Sequence, residues 1–432
     1  MRPTLVFAAL TLTLALPALA GSANLSTVYQ MARENDAEYA AAQARFKAGQ
    51  EKVPQGRAGL LPTVNLGANA RYNQARSSIS PSTDYNSHSA SLTLTQPLYR
   101  KQNLEAYEQA KVQALLSEQE LKLAEQKLLL SVAQAYFAVL QAQDVLATAQ
   151  SQKQAYAEQL AQARKSFEVG AATITDTHEA QARYDLTTAQ EIAAQNDLEV
   201  KRRSLEKIIN TESPELTRLG DSARLSLPEP NNMDAWVKQA EEDGVSVHLY
   251  QSAVELARRD VERLRGGHLP TLDLSASYSD SRNPSSTIAS SNAGAIGLEF
   301  GWVLYQGGLI DSRVREAVAL QEKARHELDT ARRQARLDAR QGFLGVLSGD
   351  AQVRALEQAL VSSEAQLKST KLGLEVGVRT RVDVLNAQQQ LFTTKRDLAA
   401  ARYQTLVAGL QLKAAAGSLK EEDLKAVDTL LK

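Results

Sequence analysis

The apolar positions of this chain switch between helical and strand period, and they do so in two matching sets. Residues 24 to about 52 read as a helix rich in Ala, Gln and charge, opened by Asn24 or Ser26 as a cap and closed before Pro54 and Gly56. After Pro62 the period drops to two. Val64, Leu66, Ala68, Ala70 and Tyr72 fall on one face, and Asn65, Gly67, Asn69, Arg71 and Asn73 on the other. A polar stretch, RSSISPSTDYNSH, leads to a second such run, in which Ala90, Leu92 and Leu94 oppose Ser89, Ser91, Thr93 and Thr95. The pattern predicts a hairpin over 63–96 whose strands are each about ten residues long, with Pro97 ending it.

No proline follows until Pro214, and residues seven apart form a stripe: Tyr107, Ala114, Leu121, Leu128, Ala135, Ala142, Ala149, Tyr156 and Ala163. A heptad kept so long predicts a helix that supercoils against partners, with Ala allowing close approach. From 98 to about 167 it would run roughly 100 Å at 1.5 Å per residue. That is far longer than a globular core requires. A turn then reverses the chain into a shorter helix over about 176–210.

Residues 211–232, with Pro214, Gly220, Pro228 and Pro230, read as a linker or equatorial segment between two structural repeats, 21–210 and 233–417. The second repeat follows the first in order. A helix from 233 to about 264 precedes HLPTLDLSASYSDSR (268–282), which matches LLPTVNLGANARYNQ (60–74). Leu272, Leu274, Ala276 and Tyr278 oppose Asp273, Ser275, Ser277 and Ser279; then Ile296, Leu298, Phe300 and Trp302 alternate with Gly297, Glu299 and Gly301. This second hairpin spans 271–304, and Gly297 to Gln306 mirrors Ser91 to Arg100, with Tyr305 where the first copy has Tyr99. A second proline-free long helix to about 374 and a shorter one over about 382–416 complete the copy, leaving 418–432 as a C-terminal segment.

The turn between long and short helix is the sharpest part of the repeat: FEVGAATITDTHEAQ (167–181) and LEVGVRTRVDVLNAQ (374–388). Gly170 and Gly377 suit the left-handed residue that closes a helix, and Asp176 and Asp383 suit the positive end of the helix that follows. Taken alone, these are also the marks of two well-capped helical hairpins.

Composition narrows the class. The charge is balanced, with 49 Lys plus Arg against 50 Asp plus Glu, which leaves no basic footprint for nucleic acid. Residues 1–20 read as a secretory signal: Arg2, an apolar run, and the small-residue site Ala18-Leu19-Ala20. No run of eighteen apolar residues follows it. Cysteine is absent, so disulfides and an N-terminal lipid on Cys are excluded, and a bacterial periplasm is the compartment expected. Two readings follow for the strands: a small soluble sheet with one face on a core, or transmembrane strands, whose length and alternation they share. Four strands cannot close a barrel alone, since the smallest membrane barrels need about eight, so the second reading requires closure between subunits.

The repeat, the hairpins, the proline-free helices and the paired VG-turn-D motifs resemble the TolC family of outer-membrane efflux proteins across essentially the whole mature chain. VGVRTRVDVLNAQQQLFTTKRDLAAARYQTLVAGLQLKAAAG (376–417) is the most specific match, and VGAATITDTHEAQARYD (169–185) agrees with it. The resemblance implies an α+β membrane protein, a homotrimer in which four strands per subunit build one transmembrane β-barrel and the helices form a coiled-coil tunnel across the periplasm. It implies an exit duct for tripartite efflux or type I secretion in the bacterial outer membrane. Its partners would be outer-membrane lipid, a periplasmic adaptor (membrane fusion protein) and an inner-membrane RND or ABC transporter.

By the same resemblance the turns are the closed, gated end of the tunnel. The family's gate residues fall on Thr175, Asp176 and Arg379 here; an Arg facing an Asp is a contact that moving one helix pair can release. Leu374 occupies a position where the family often has Tyr, so a phenolic hydrogen bond is lost. Asp383 keeps one acidic ring at the tip, whereas Asn386 stands at the second acidic position, so cation preference should be weaker. Gly170 and Gly377 would let an adaptor backbone approach. Trp302, Tyr99, Tyr278 and Tyr305 suit a membrane interface or ordinary packing.

No catalytic constellation is found. His88, His178, His248, His268 and His326 lack ligand spacing, and there is no phosphate loop or nucleophile elbow, so no cofactor or metal is expected. The rival from another class is a periplasmic coiled-coil adaptor or scaffold. It would share the signal and the long helices but has no need of four strands with an apolar face. Cargo and pump are not specified by the residues named.

Overall fold

The computed structural model describes residues 22–76, 82–220, 226–284 and 289–432. The expected signal peptide lies outside the described residues, as do parts of both polar hairpin loops and of the linker. The first repeat runs α1 (Leu25–Asn35), α2 (Ala37–Gln50), α3 (Lys52–Ala58), β1 (Thr63–Ala75), β2 (Thr83–Tyr99), α4 (Lys101–Glu168) and α5 (Ile174–Ile209). The second runs α6 (Met233–Asp243), α7 (Val245–Arg265), β3 (Thr271–Arg282), β4 (Ser290–Gly301), α8 (Leu309–Glu375) and α9 (Arg381–Ala415), with α10 (Glu421–Asp428) closing the chain.

At 68 and 67 residues, α4 and α8 are each about 100 Å long. No residue of the Tyr107-to-Ala163 heptad stripe is exposed, and Leu128, Ala142, Ala149, Tyr156 and Ala163 are buried. α4 pairs with α5, which is about half its length, and α8 likewise with α9. The second pair comes close enough that a Cβ on Gly342 would lie 3.0 Å from the Leu412 Cα. α4 also has an 18-residue window apolar enough to cross a membrane, but half of it is buried inside the subunit.

The expected first helix is three helices. It breaks at Asp36, whose side chain accepts from the Tyr39 N–H and caps α2, while Asn24 rather than Ser26 caps α1. Its copy breaks at Gly244, between α6 and α7. Pro54 does not stop the chain either. It sits in the first turn of α3, where no backbone donor is needed.

The four strands form one antiparallel sheet in the order β1-β2-β3-β4. β2 begins at Thr83, within the stretch expected as loop, because Tyr72 pairs with Asn86 and Asn73 with Tyr85. Cross-strand bonds reinforce this, with Tyr72 Oη donating to Asp84 at 2.8 Å and Asn73 Nδ2 to Ser87 at 2.8 Å. Pro97 does not end the strand but lies beside a bulge, where a ladder donor is dispensable, and β2 continues to Tyr99.

The core sits at mid-length of the helices. Val132, Tyr136, Phe137 and Leu140 of α4 pack with Leu25, Val28 and Tyr29 of α1, Leu205 and Ile209 of α5, and Leu424 of α10. The segment read as a linker contributes to it: Leu216 is buried, and Tyr136 Oη donates to the Thr217 carbonyl at 2.8 Å. The two described ends meet here as well. Asp428 accepts from the Leu25 N–H at 2.8 Å and the Ser26 N–H at 3.2 Å, so a carboxylate from the last helix neutralises the positive end of the first.

Candidate functional site

Register decides what the sheet can do. Leu66 lies opposite Leu92, Leu92 opposite Tyr278, Leu94 opposite Ala276, and Ala276 opposite Ile296, so the apolar residues of all four strands share one face. Among the described residues nothing covers that face: Leu66 is 78 % exposed and Ile296 76 %. A continuous apolar face of this kind is unfavourable in water and suits lipid. The opposite face is polar, with Asn69 Nδ2 donating to Ser89 at 2.7 Å. Trp302 and Tyr305, just past β4, are exposed on the helix side of the sheet, and Trp302 Nε1 donates to the His268 carbonyl at 3.0 Å.

At the far end, the two turns are built alike. Gly170 has φ +73° and Gly377 φ +81°, the left-handed conformation, and a Cβ at either would meet nothing within 4 Å. Thr173 and Thr380 are the helix caps, and Asp176 and Asp383 stand three residues on as their reciprocal partners. In each turn the carboxylate accepts from the threonine N–H and hydroxyl at 2.9 Å, and the aspartate N–H donates to the threonine Oγ1 at 3.2 Å. These bonds, with Arg379 nearby, hold the Asp383 carboxyl below the usual carboxylate range.

The turns differ in charge. The first carries Ala172 and Ile174 where the second carries Arg379 and Arg381. Arg381 Nη2 donates to Ser166 of α4 at 2.6 Å. Arg183 of α5 reaches α9, donating to the Asn386 side-chain Oδ1 at 3.1 Å and to Gln389 Oε1. These arginines tie the two hairpins of one subunit together, and sequence reasoning did not single them out. For Arg381 the signal available was the repeat itself, which places basic residues in only one of two otherwise matching turns; Arg183, inside α5, had no such signal.

Arg379, Asp383 and Asn386 line one polar groove between α8 and α9. Arg379 folds over Gly373, where a Cβ would come within 2.6 Å of its Cγ. Leu374 is half-buried at the end of α8. Thr175 is exposed and Asp176 half-buried at the start of α5, and among the described residues Asp176 makes no ion pair with Arg379 inside the subunit. Four buried side-chain atoms lack a hydrogen bond among the described residues, and three of them, Thr177 Oγ1, Arg381 Nη1 and Gln388 Oε1, belong to this end.

Residues 28–211 and 236–418 match the family described as outer membrane efflux protein. The chain is 35 % identical to outer membrane protein TolC of Escherichia coli (strain K12), over 96 % of this chain and 86 % of the relative. It is 32 % identical to alkaline protease secretion protein AprF of Pseudomonas aeruginosa, over 92 % and 85 %. Its fold matches the crystal structure of the Campylobacter jejuni CmeC outer membrane channel with a TM-score of 0.82, covering 95 % of this chain and 90 % of that one at 16 % identity.

Proposed function

Because this chain belongs to the outer membrane efflux protein family, and is thus an outer-membrane efflux or secretion channel rather than an enzyme, we propose that three copies close its sheet into one barrel and that its helical turns are the gate. The observation that carries the reading is the four-stranded sheet itself. One face is apolar, the edges β1 and β4 have no further strand partner among the described residues, and about eight strands are the least that closes a membrane barrel. Three subunits would supply twelve. The helices then extend into the periplasm, with Gly170 and Gly377 at the tip.

At that tip, Arg379 of one subunit holds Asp176 of its neighbour in the closed state. Arg379 is exposed, and among the described residues Asp176 is occupied only by its own cap. The unpartnered atoms at this end support a second surface that completes them in the assembly. Three Asp383 carboxylates around the axis favour cations, while Asn386, bonded to Arg183, adds no charge. Open space around Gly170 and Gly377 suits a periplasmic adaptor, which would link the channel to an inner-membrane RND or ABC transporter. The name of the Pseudomonas relative makes a protein cargo as reasonable as a small molecule.

Single-channel conductance in planar bilayers tests this, with wild type beside Arg379→Ser and Asp176→Ala. A small wild-type conductance that rises in both variants is expected. Conductance equal in all three would leave a channel whose gate lies elsewhere, and an elongated particle that never inserts would overturn the channel itself.

A further inference from the structure

The two hairpins are copies in register as well as in sequence. Thr63 faces Thr95 and Thr271 faces Gly301, so the offset is 208 residues for the first strand of each hairpin (63 to 271) and 206 for the second (95 to 301). The same side-chain bond recurs: Thr63 Oγ1 donates to the Thr95 carbonyl at 3.4 Å, and Thr271 Oγ1 to the Gly301 carbonyl at 3.3 Å. The first offset also carries the cap Asn24 onto the cap Asn232, and the break at Asp36 onto the break at Gly244.

Between the copies lies one junction that the chain makes with itself, β2 against β3. Thr93 is opposite Ser277, Thr95 opposite Ser275 and Pro97 opposite Asp273. Arg100, just past β2, grips the buried Asp273 carboxylate with two nitrogens, Nε at 2.8 Å from Oδ1 and Nη2 on Oδ2. In the helices, α7 packs against both α4 and α8. Its copy α2 packs against α4 and makes no extensive contact with α8 in the same subunit.

Resting on the trimer proposed above, we infer that β4 of one subunit pairs with β1 of the next in the register copied from the β2–β3 junction, and that the ion pair of that junction is replaced at the seam by two amides. The offsets turn Thr93–Ser277 into Glu299 beside the partner subunit's Asn69, and Pro97–Asp273 into Val303 beside the partner subunit's Asn65. Arg100 becomes Gln306. Leu298 falls beside the partner's Ala70 and Phe300 beside the partner's Ala68, which keeps the apolar face unbroken around the ring. A slip of one residue would turn that face inward, so only slips of two compete.

The substitution of charges by amides has a physical reason. Arg100 and Asp273 meet as soon as one chain folds, whereas seam residues wait for a neighbour. At the position matching Asp273, which the β2–β3 junction buries, a lone charge would be costly to bury before its partner arrives, and an amide forms hydrogen bonds without that cost.

The chain has no cysteine, so a pair of introduced thiols reads the register directly. In Glu299→Cys/Asn69→Cys the two sites lie at opposite edges of the subunit's sheet, where Glu299 faces Asp273 and Asn69 faces Ser89, so the bond can form only between subunits. Oxidation of membranes should give a covalent trimer on a non-reducing gel that reverts with thiol. The slipped pairs Glu299→Cys/Gly67→Cys and Glu299→Cys/Arg71→Cys would hold their Cβ atoms roughly 7–8 Å apart. A disulfide needs about 3.5–4.5 Å, so these should cross-link at least about tenfold more slowly. A pair that blocks assembly is replaced by Val303→Cys/Asn65→Cys, which reads the same register at the base of the barrel. Faster cross-linking by a slipped pair, or none by any pair in a particle whose native mass is trimeric, overturns the register. A monomeric native mass for the unaltered chain overturns the trimer first.

Discussion

At mid-length of the helices, Val132, Tyr136, Phe137 and Leu140 of α4 are no more than 2 % exposed, sealed by α1, α5, α9 and α10; at the tip, the two hairpins meet through single side chains. The middle is aromatic and redundant, with Phe137 against Tyr136 edge-on at 5.6 Å and stacked on Tyr403 at 5.8 Å. Burial pushes the Tyr29 hydroxyl up to about 12, and those of Tyr136 and Tyr403 upward as well, so these groups stay neutral, and the last two donate to Thr217 and Asp144. The tip has arginine bonds and capping boxes, each of which can be lost alone. The contrast supports the proposed place of opening: the middle holds the subunit together through a buried core, while the end is held by a few polar contacts.

The largest effect should therefore come from the middle and should spare gating. Tyr136→Ala removes a fully buried ring and its bonds to the Ala23 and Thr217 carbonyls, and should cost about 3–5 kcal/mol, read as a lower unfolding midpoint in detergent. Channels that still assemble should keep wild-type conductance. A gating change with no loss of stability would break the comparison.

Next come the ties between hairpins. Arg183→Ala and Arg381→Ala should each destabilise the subunit by about 1 kcal/mol, since both bonds are only part-buried or exposed, and both should raise conductance. If Arg379 acts across the subunit boundary and these two act within it, Arg379→Ser combined with Arg381→Ala should open the channel further than either alone. Equal opening by all three would mean one shared contact.

What was legible in the sequence follows the same division. Strand faces, heptad stripe and both turn glycines could be read because period and φ are local properties: Leu66 and Leu298 share a face by alternation, and Gly377 is left-handed because the helix ends there. The break at Asp36, the helix α10 and the ties from Arg183 and Arg381 could not, because each depends on what another part of the chain brings opposite. Asn386 shows this most directly. As a sequence position it is a missing acid in a ring; in the fold it is the acceptor for Arg183. Pro54 and Pro97 misled for a related reason, since a proline is tolerated wherever its missing donor has no partner to lose.

The capping boxes should give a smaller effect that compares the two turns with each other. Thr173→Ala and Thr380→Ala each remove one acceptor from a helix start and should cost about 1 kcal/mol, seen as faster hydrogen exchange in the first turns of α5 and α9. Similar losses in both would show that the turns share a backbone device and differ only in their arginines. A loss confined to α9 would mean that the arginines also brace the cap.

The smallest effect is the dependence of the second cap on pH. The Asp383 carboxyl is held below its ordinary value of 3.8 first by the Thr380 N–H, then by the Thr380 hydroxyl, and in part by Arg379. A depressed folded value means the stabilisation is complete above the unfolded one and is lost as pH falls through the folded one. Exchange protection at the start of α9, compared between wild type and Asp383→Asn, should thus differ at neutral pH and converge only once the pH has fallen through the lowered carboxyl value, below the ordinary 3.8. Arg379→Ser should move that convergence upward in dissociated subunits, because one lowering charge is gone. If the proposed gate draws Arg379 to Asp176 of the neighbour in the closed trimer, the same substitution should move it less there. A shift of equal size in both states would place Arg379 beside Asp383 throughout and remove it from the gate.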